Sequence, residues 1–519
     1  MEHSLEKRYI AKLFANIVGF GFGVVIAMLV PRGLGPGAYG DFSFLSTTFL
    51  SLMGFFTLST STGFFVKLAQ RQNEFGLISF YGRFNLFSIL ALFVFIYGIQ
   101  LFGASKSLWI DIPDNTIILA AILGVFTWLL QIMTQVVDAY GLTIGSEIAR
   151  IGQKIVGLLV IIVLYLTKDL TLMNYFYYNI LISIGLVLVF WWIIERSNYS
   201  FFQSWKLSKV QISNYINEFV LYSRPLLLFS IFVTIGDFFD RWLLQRYGGS
   251  IEQGFFGLSN QIAAVCFLFS SAMVPLITRE LSILFRKNDI HGMSLLYRRY
   301  APLLFGIASF LACFTAVQAD KIVVFFGGIS YGNAVVPVFV MAFYPIHQTY
   351  GQITASLFFA TGKTKLYSQI SLIFLIVGIP IVYLMIGPQS RFGLNLGSTG
   401  LAIKFVCLQF IAVNVQLFYN LKFLKLRFSH FFLHQLVTVV FFFSSALIAR
   451  VLSERVYFYK HTAIIDFLFA GLLYTFFVCI FIYLFPVILG FKKNEIGLVI
   501  SRMNIWIKDN YKCRSFRTH

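Results

Sequence analysis

Residues 31–48 read PRGLGPGAYGDFSFLSTT, and residues 245–262 read QRYGGSIEQGFFGLSNQI. With Arg32 set on Arg246 the stretches align without a gap, and Gly35 falls on Gly249, Gly40 on Gly254 and Phe42 on Phe256, an offset of 214 residues. A second landmark agrees. Gln131 and Gln135 stand 217 residues before Gln348 and Gln352, and the same offset carries Gly145 onto Gly362. The chain reads as an internal duplication with a period of about 215 residues.

Both motifs follow apolar stretches long enough to cross a bilayer. Fourteen such stretches are predicted: 10–30, 42–66, 79–102, 116–140, 146–166, 173–194, 220–246, 255–279, 296–318, 334–360, 365–387, 398–420, 430–450 and 463–489. Roughly 20 apolar residues suffice to span the hydrocarbon core as a helix, and a helix satisfies its own backbone hydrogen bonds there. Hydrophobic residues make up 58% of the 519 and charged residues 12%, against about 25% charge in a soluble domain. The mean hydropathy is +0.81. The fold class is therefore an all-α polytopic membrane protein with about 14 transmembrane helices.

Six spans separate equivalent points of the repeat, so the second copy enters the membrane in the same direction as the first. Such copies are related by an axis along the membrane normal, one of two repeat arrangements found in transporters. The expected organisation is a six-helix bundle over 1–195, a polar linker over 196–219, a second six-helix bundle over 220–424, two extra spans over 425–490 and a basic tail over 491–519. Residues Met1–Tyr9 are polar and no small-residue cleavage site follows, so the first span is expected to stay in the mature protein.

The net charge of +19 belongs to topology rather than to nucleic acid. With loops numbered alternately, 28 of the 40 lysines and arginines fall on the side of the N-terminus and ten on the other. That bias is the positive-inside rule, and it places both termini in the cytoplasm. Arg150 and Lys154 are counted among the inner charges. The five cysteines (Cys266, Cys313, Cys407, Cys479 and Cys513) are dispersed, with no metal-ligand spacing, and read as small core residues. The Gly-Lys-Thr at 362–364 is no nucleotide loop, because Leu357 stands where the first glycine is required. No cofactor is expected.

Polar faces within the spans mark a path. Thr127, Gln131, Thr134, Gln135 and Asp138 share one side of a helix, and in lipid such a stripe must face protein or water. Tyr344, Gln348, Gly351 and Gln352 repeat it in the second half, with His347 at its edge. Interhelical glue is the plain alternative for any one of these residues. The duplication points instead to a shared central cavity. Charges in or beside the spans extend the candidate set. Lys12 lies in the first turn of the first span, Lys67 ends the second, and Lys404 is about six residues into the twelfth. Lys12 and Lys67 also fit simple snorkelling to headgroups. Asp237, Asp240 and Arg241 cluster near the end of the seventh span. Asp237 and Arg241 at i, i+4 suit mutual neutralisation, or Arg241 faces the cavity and attracts an anion while Asp237 or Asp240 couples a cation or proton.

R-G-L-G-P-G-A-Y-G-D-F after the first span resembles the signature of polysaccharide-unit flippases of the multidrug/oligosaccharidyl-lipid/polysaccharide exporter superfamily. F-D-R-W-L-L, G-F-F-G-L-S, Val274–Pro275 and A-T-G-K-T-K resemble its second-half pattern, over about residues 10–425. The resemblance implies a V-shaped pair of bundles working by alternating access in the bacterial inner membrane. Its implied cargo is an undecaprenyl-diphosphate-linked oligosaccharide, passed from the cytoplasmic to the periplasmic leaflet for O-antigen, capsule or exopolysaccharide synthesis. A polysaccharide polymerase and a chain-length regulator are the implied neighbours, together with membrane lipids. The set expected to contact cargo is Lys12, Lys67, Gln131, Gln135, Arg241, Gln348, Gln352 and Lys404.

Other classes fit less well. A cation-coupled drug exporter of the superfamily has twelve spans and an acidic group in the first, whereas this first span has neither Asp nor Glu. A major-facilitator transporter carries D-R-x-G-R between spans 2 and 3, where this chain has KLAQRQNEFGLISFYGR. A membrane-bound polymerase or glycosyltransferase needs a substantial outer loop for its catalytic groups, and the longest outer connections here are about ten to fifteen residues. The chain is read as a non-enzyme.

Overall fold

The computed structural model describes residues 5–58, 60–71, 74–197, 207–456 and 463–490. Seventeen α-helices and three short 3-10 turns make up the ordered elements, and no strand occurs among the described residues. Among the described residues, eleven helical segments are long and apolar enough to cross a membrane. The first two predicted spans fall on the long first helix, the second continuing into the next, and those at 220–246 and 255–279 fall on the long eighth helix and the ninth. The linker residues 198–206 and the basic tail 491–519 lie outside the described residues.

The chain forms two compact units. The first comprises residues 1–258, 324–334 and 375–401. It contains α1 (Leu5–Phe56), α2 (Ser61–Gln70), α3 (Phe75–Leu101), α4 (Ser105–Leu108), α5 (Asp114–Ala139), α6 (Thr143–Leu166), α7 (Leu172–Arg196) and most of α8 (Lys209–Val265). Helix α1 packs on α5 and α6, and α5 on α7. Phe44, Phe49, Ile117, Val136, Phe176 and Phe190 are buried in its core. One buried polar pair ties α5 to α3, where Trp128 Nε1 donates to Asn85 Oδ1 at 2.9 Å. Such bonds hold helices together in lipid, where apolar burial alone supplies little drive.

The stretch expected as a loop after the first span is helical on both sides of a single break. Pro31 and Pro36 lie inside α1, and only Gly35 leaves helical backbone, at φ 73°, ψ 169°. Gly249 breaks α8 in the same conformation, φ 72°, ψ −176°. A side chain strains that region, which glycine enters freely. The two breaks then pack on each other. A Cβ on Gly40 would stand 1.8 Å from Ser250 O, and a Cβ on Gly254 would stand 2.0 Å from Pro36 O. Pro36 and Ser250 are themselves partners at the 214-residue offset. The contact is thus reciprocal, each motif giving the other what it receives, as in a two-fold interface. The two motifs aligned in the sequence share one backbone break.

The second unit comprises residues 259–323, 335–374 and 402–519. It holds α9 (Leu268–Arg286), α10 (Ile290–Val317), part of α11 (Ala319–Gly327), α12 (Val335–Met341), α13 (Tyr344–Ala360), the first half of α14 (Thr364–Ile386), most of α15 (Gly397–Phe423), α16 (Phe428–Val456) and α17 (Ala463–Leu484). Helix α10 is central and touches α9, α13 and α16. The two extra spans, α16 and α17, are built into this unit, since Tyr474 Oη donates to Phe310 O at 2.9 Å and Arg450 grips Asp320 with bonds of 2.8 and 3.0 Å.

Candidate functional site

Helices α5 and α6 of the first unit enclose a cavity of about 430 Å³. From α5 come Thr127, Gln131 and Thr134, the polar stripe seen in the sequence. From α6 come Glu147, Arg150 and Lys154, spaced so that they share one face. Leu50 of α1 and Leu186 of α7 close it with apolar walls. Arg150 and Lys154 lie roughly 9 and 15 Å along the helical segment that starts at Ile144, at 1.5 Å per residue. Both line the cavity, and cations within a bilayer face protein interiors or water.

Each cation is held in place. Arg150 Nη1 stands 3.5 Å from Glu147 Oε1, and its guanidinium lies 5.8 Å from the centre of the Phe190 ring. Lys154 Nζ donates to Gly19 O at 3.0 Å. A Cβ at position 19 would stand 2.6 Å from that Nζ, so the glycine makes room for the lysine. Glu147 is buried at 3% exposure, while Arg150 is 28% exposed and presents itself to the cavity.

The predicted residues separate into three environments. Gln131 lines the cavity, whereas Gln135 has its Oε1 buried with no hydrogen-bond partner among the described residues. The side chain of Lys12 lies outside the described residues. Lys67 is in an ion cluster with Arg71, Glu218 and Glu74, in which Lys67 and Arg71 both donate to Glu218. Tyr215 Oη donates to Glu74 at 2.5 Å in the same cluster. Burial raises the Glu218 carboxyl, but the bonds from Lys67 and Arg71 outweigh it and hold the group below its ordinary value. Burial and the adjacent Glu74 push the Tyr215 hydroxyl up.

Arg241 is buried at 8% exposure and does not line the α5–α6 cavity. Its Nη1 donates to Gln253 Oε1 at 3.2 Å, and Gln253 Nε2 donates back to the Arg241 carbonyl. Its guanidinium sits 4.5 Å from the centre of the Phe256 ring. Asp237 and Asp240 supply the opposing charge, and Asp240 is buried too. Through Gln253 and Phe256, Arg241 ties α8 to itself across the Gly249 break.

In the second unit the repeated stripe is differently engaged. Gln409 of α15 donates to Gln348 of α13, and Gln352 Oε1 is buried with no hydrogen-bond partner among the described residues. His347 meets the Phe410 ring edge-on at 4.9 Å. Lys404 is half-buried, with Nζ 4.7 Å from the centre of the Phe405 ring.

Sequence reasoning missed Glu147, Arg150 and Lys154 as site residues because charges near the start of a span look like inner-loop charges. Their shared helical face was the available signal, with Glu147, Arg150 and Lys154 at i, i+3 and i+7.

No family model matches this sequence, and no curated protein matches it. Solved structures do. The lipid II flippase MurJ in an inward closed conformation superimposes with a TM-score of 0.66 at 15% identity, covering 92% of this chain and 98% of that one. An inward-facing multidrug resistance MATE family transporter of the MOP superfamily gives 0.59 at 14% identity, covering 80% and 94%. A MOP superfamily transporter from Pyrococcus furiosus Vc1 gives 0.53 at 14%, covering 82% and 97%. The chain has the fold shared by these transporters.

Proposed function

We propose that this multi-pass membrane protein is a flippase for an oligosaccharide carried on a polyprenyl diphosphate, undecaprenyl diphosphate in a bacterial inner membrane. The head group crosses through the polar interior while the tail stays in lipid, and alternating access exposes the path to each leaflet in turn. The carrying observation is the pair Arg150 and Lys154 lining a cavity beside Gln131, on helices long and apolar enough to cross a membrane. A diphosphate is too costly to bring into a bilayer unpaired, and a guanidinium with an ammonium one turn away meets it with charge-assisted bonds. Gln131 and, in the second unit, Gln348 and Gln352 are assigned to the uncharged sugars. Lys67 and Arg241 are not, since internal partners already engage them. With both termini cytoplasmic, outward movement of each negative charge gains roughly 2.3 kcal/mol per 100 mV from a negative interior.

Deleting the gene and analysing lipid-linked intermediates tests this reading. Repeat units on polyprenyl diphosphate accumulate on the cytoplasmic face and surface polysaccharide is lost. Likeness to MATE drug transporters supports one competing reading, export of organic cations. Intact surface glycan with altered drug sensitivity in the deletion strain would establish that alternative.

A further inference from the structure

The α5–α6 cavity contains its own anion. Glu147 is buried one helical turn before Arg150 and 3.5 Å from its guanidinium. A carboxylate there is an arginine partner of the same kind as a phosphate oxygen. Lys154 Nζ donates to the neutral carbonyl of Gly19 and feels the Glu147 charge from farther along the helix. Any phosphate entering this cavity therefore finds one cation in close contact with the carboxylate and a second bonded to a carbonyl dipole.

We propose that Glu147 is the resident competitor of the cargo's anionic group. It holds Arg150 while the cavity is empty, yields it to an arriving diphosphate, and recaptures it as the diphosphate leaves. This makes Glu147 a positioning residue that sets how tightly anions are held, and the inference rests on the flippase reading above. A carrier needs such a device, because a site that binds its cargo too well stalls after one passage. Two observations fit it to this role rather than to plain structural pairing. Both line the cavity, but the Arg150 side chain is 28% exposed and that of Glu147 4%, so the arginine has room to exchange partners by turning outward while the carboxylate stays in place. The second copy lacks the arrangement altogether, since Thr364, Tyr367 and Ser371 occupy the positions of Glu147, Arg150 and Lys154 at the 217-residue offset. The overall architecture of the duplicated helix thus does not demand the pair.

The test is diphosphate binding by the purified full chain in lipid nanodiscs, with farnesyl diphosphate and inorganic pyrophosphate as probes. Removing the competing charge by Glu147→Gln is expected to tighten binding about tenfold, the equivalent of a weak close charge pair, and to slow turnover. Glu147→Asp, which keeps the charge but withdraws it by a methylene, is expected to fall between the two and stands in if the glutamine variant fails to fold. Structural damage does not raise affinity, so a gain separates competition from scaffolding. Unchanged or weaker binding in Glu147→Gln, alongside weaker binding in Arg150→Ala, overturns the competitor role and leaves the flippase reading standing. If Arg150→Ala and Lys154→Ala also bind as the parent does, the anion-cavity reading fails with it.

Discussion

The duplicated helices α6 and α14 carry the two halves' division of labour. Counted from Gly145 and Gly362, α6 offers Glu147, Arg150 and Lys154 where α14 offers Thr364, Tyr367 and Ser371. The first set lines a cavity. In the second, Tyr367 packs edge-on against Phe359 with centroids 5.2 Å apart, and Ser371 accepts a 3.4 Å bond from Gln416. The same helix, used twice, is a charged wall once and a packed neutral one the other time. The backbone of the duplication has stayed symmetric at the Gly35 and Gly249 breaks, while the chemistry has become one-sided. On the proposed reading, fold and cargo recognition answer to different residues of one repeat.

The largest effect should come where the symmetry is strictest. Gly254→Val places a side chain on the Pro36 carbonyl and Gly40→Val on the Ser250 carbonyl, and each is expected to cost about 3 kcal/mol or more, as overpacking of a tight core does. Thermal melting in detergent should show similar losses for both. A loss at only one of them would break the two-fold account of the crossing.

Next in size is the contrast between the copies. Arg150→Ala should cut translocation of lipid-linked cargo by about tenfold or more, as losing one partner of a close charge pair does, whereas Tyr367→Phe in the second copy keeps the ring packed on Phe359 and should stay within about twofold. Equal losses in a proteoliposome translocation assay would erase the proposed asymmetry.

A smaller cost is expected for Gly35→Ala, which must hold φ near +73° with ψ near 169°, at about 1–3 kcal/mol. Gly249→Ala at φ +72° should match it in the same melting experiment.

The smallest effect belongs to the ion cluster that fastens α8 to the end of α2. Glu218 is held below its ordinary value of 4.5 by Lys67 and Arg71. Its contribution is present in full above pH 4.5 and declines as pH falls through the lower folded value. Glu218→Gln should remove this slope at a cost of about 1 kcal/mol or less at neutral pH, as for partly exposed pairs. Melting curves of parent and variant between pH 7 and pH 3 should converge at the acid end. Parallel curves would show that Glu218 contributes nothing through its charge.

The site was partly legible in the sequence, and particular residues explain where legibility ended. Gln131 was found because helical periodicity is local, so its stripe with Thr127 and Thr134 needs only the 3.6-residue turn to be seen. Arg150 and Lys154 were spent on the inside-positive count, because a charge near a span's start looks the same whether it enters the headgroups or lines a cavity. Arg241 misled in the opposite direction. Its neighbours Asp237 and Asp240 are visible along the helix, but Gln253 and Phe256, which enclose it, come from beyond the Gly249 break.

Hydropathy and spacing alone determined that this chain is a helical membrane protein, and they picked out the two glycines at which α1 and α8 break. The first follows from rules acting within one segment: the length of an apolar run and the cost of an unsatisfied backbone in lipid. Only the tertiary structure decided which cations belong to a cavity and which are sealed in the protein. Side-chain neutralisation depends on partners far away in the chain, as when Glu218 reaches Lys67 and Gly19 makes room for Lys154.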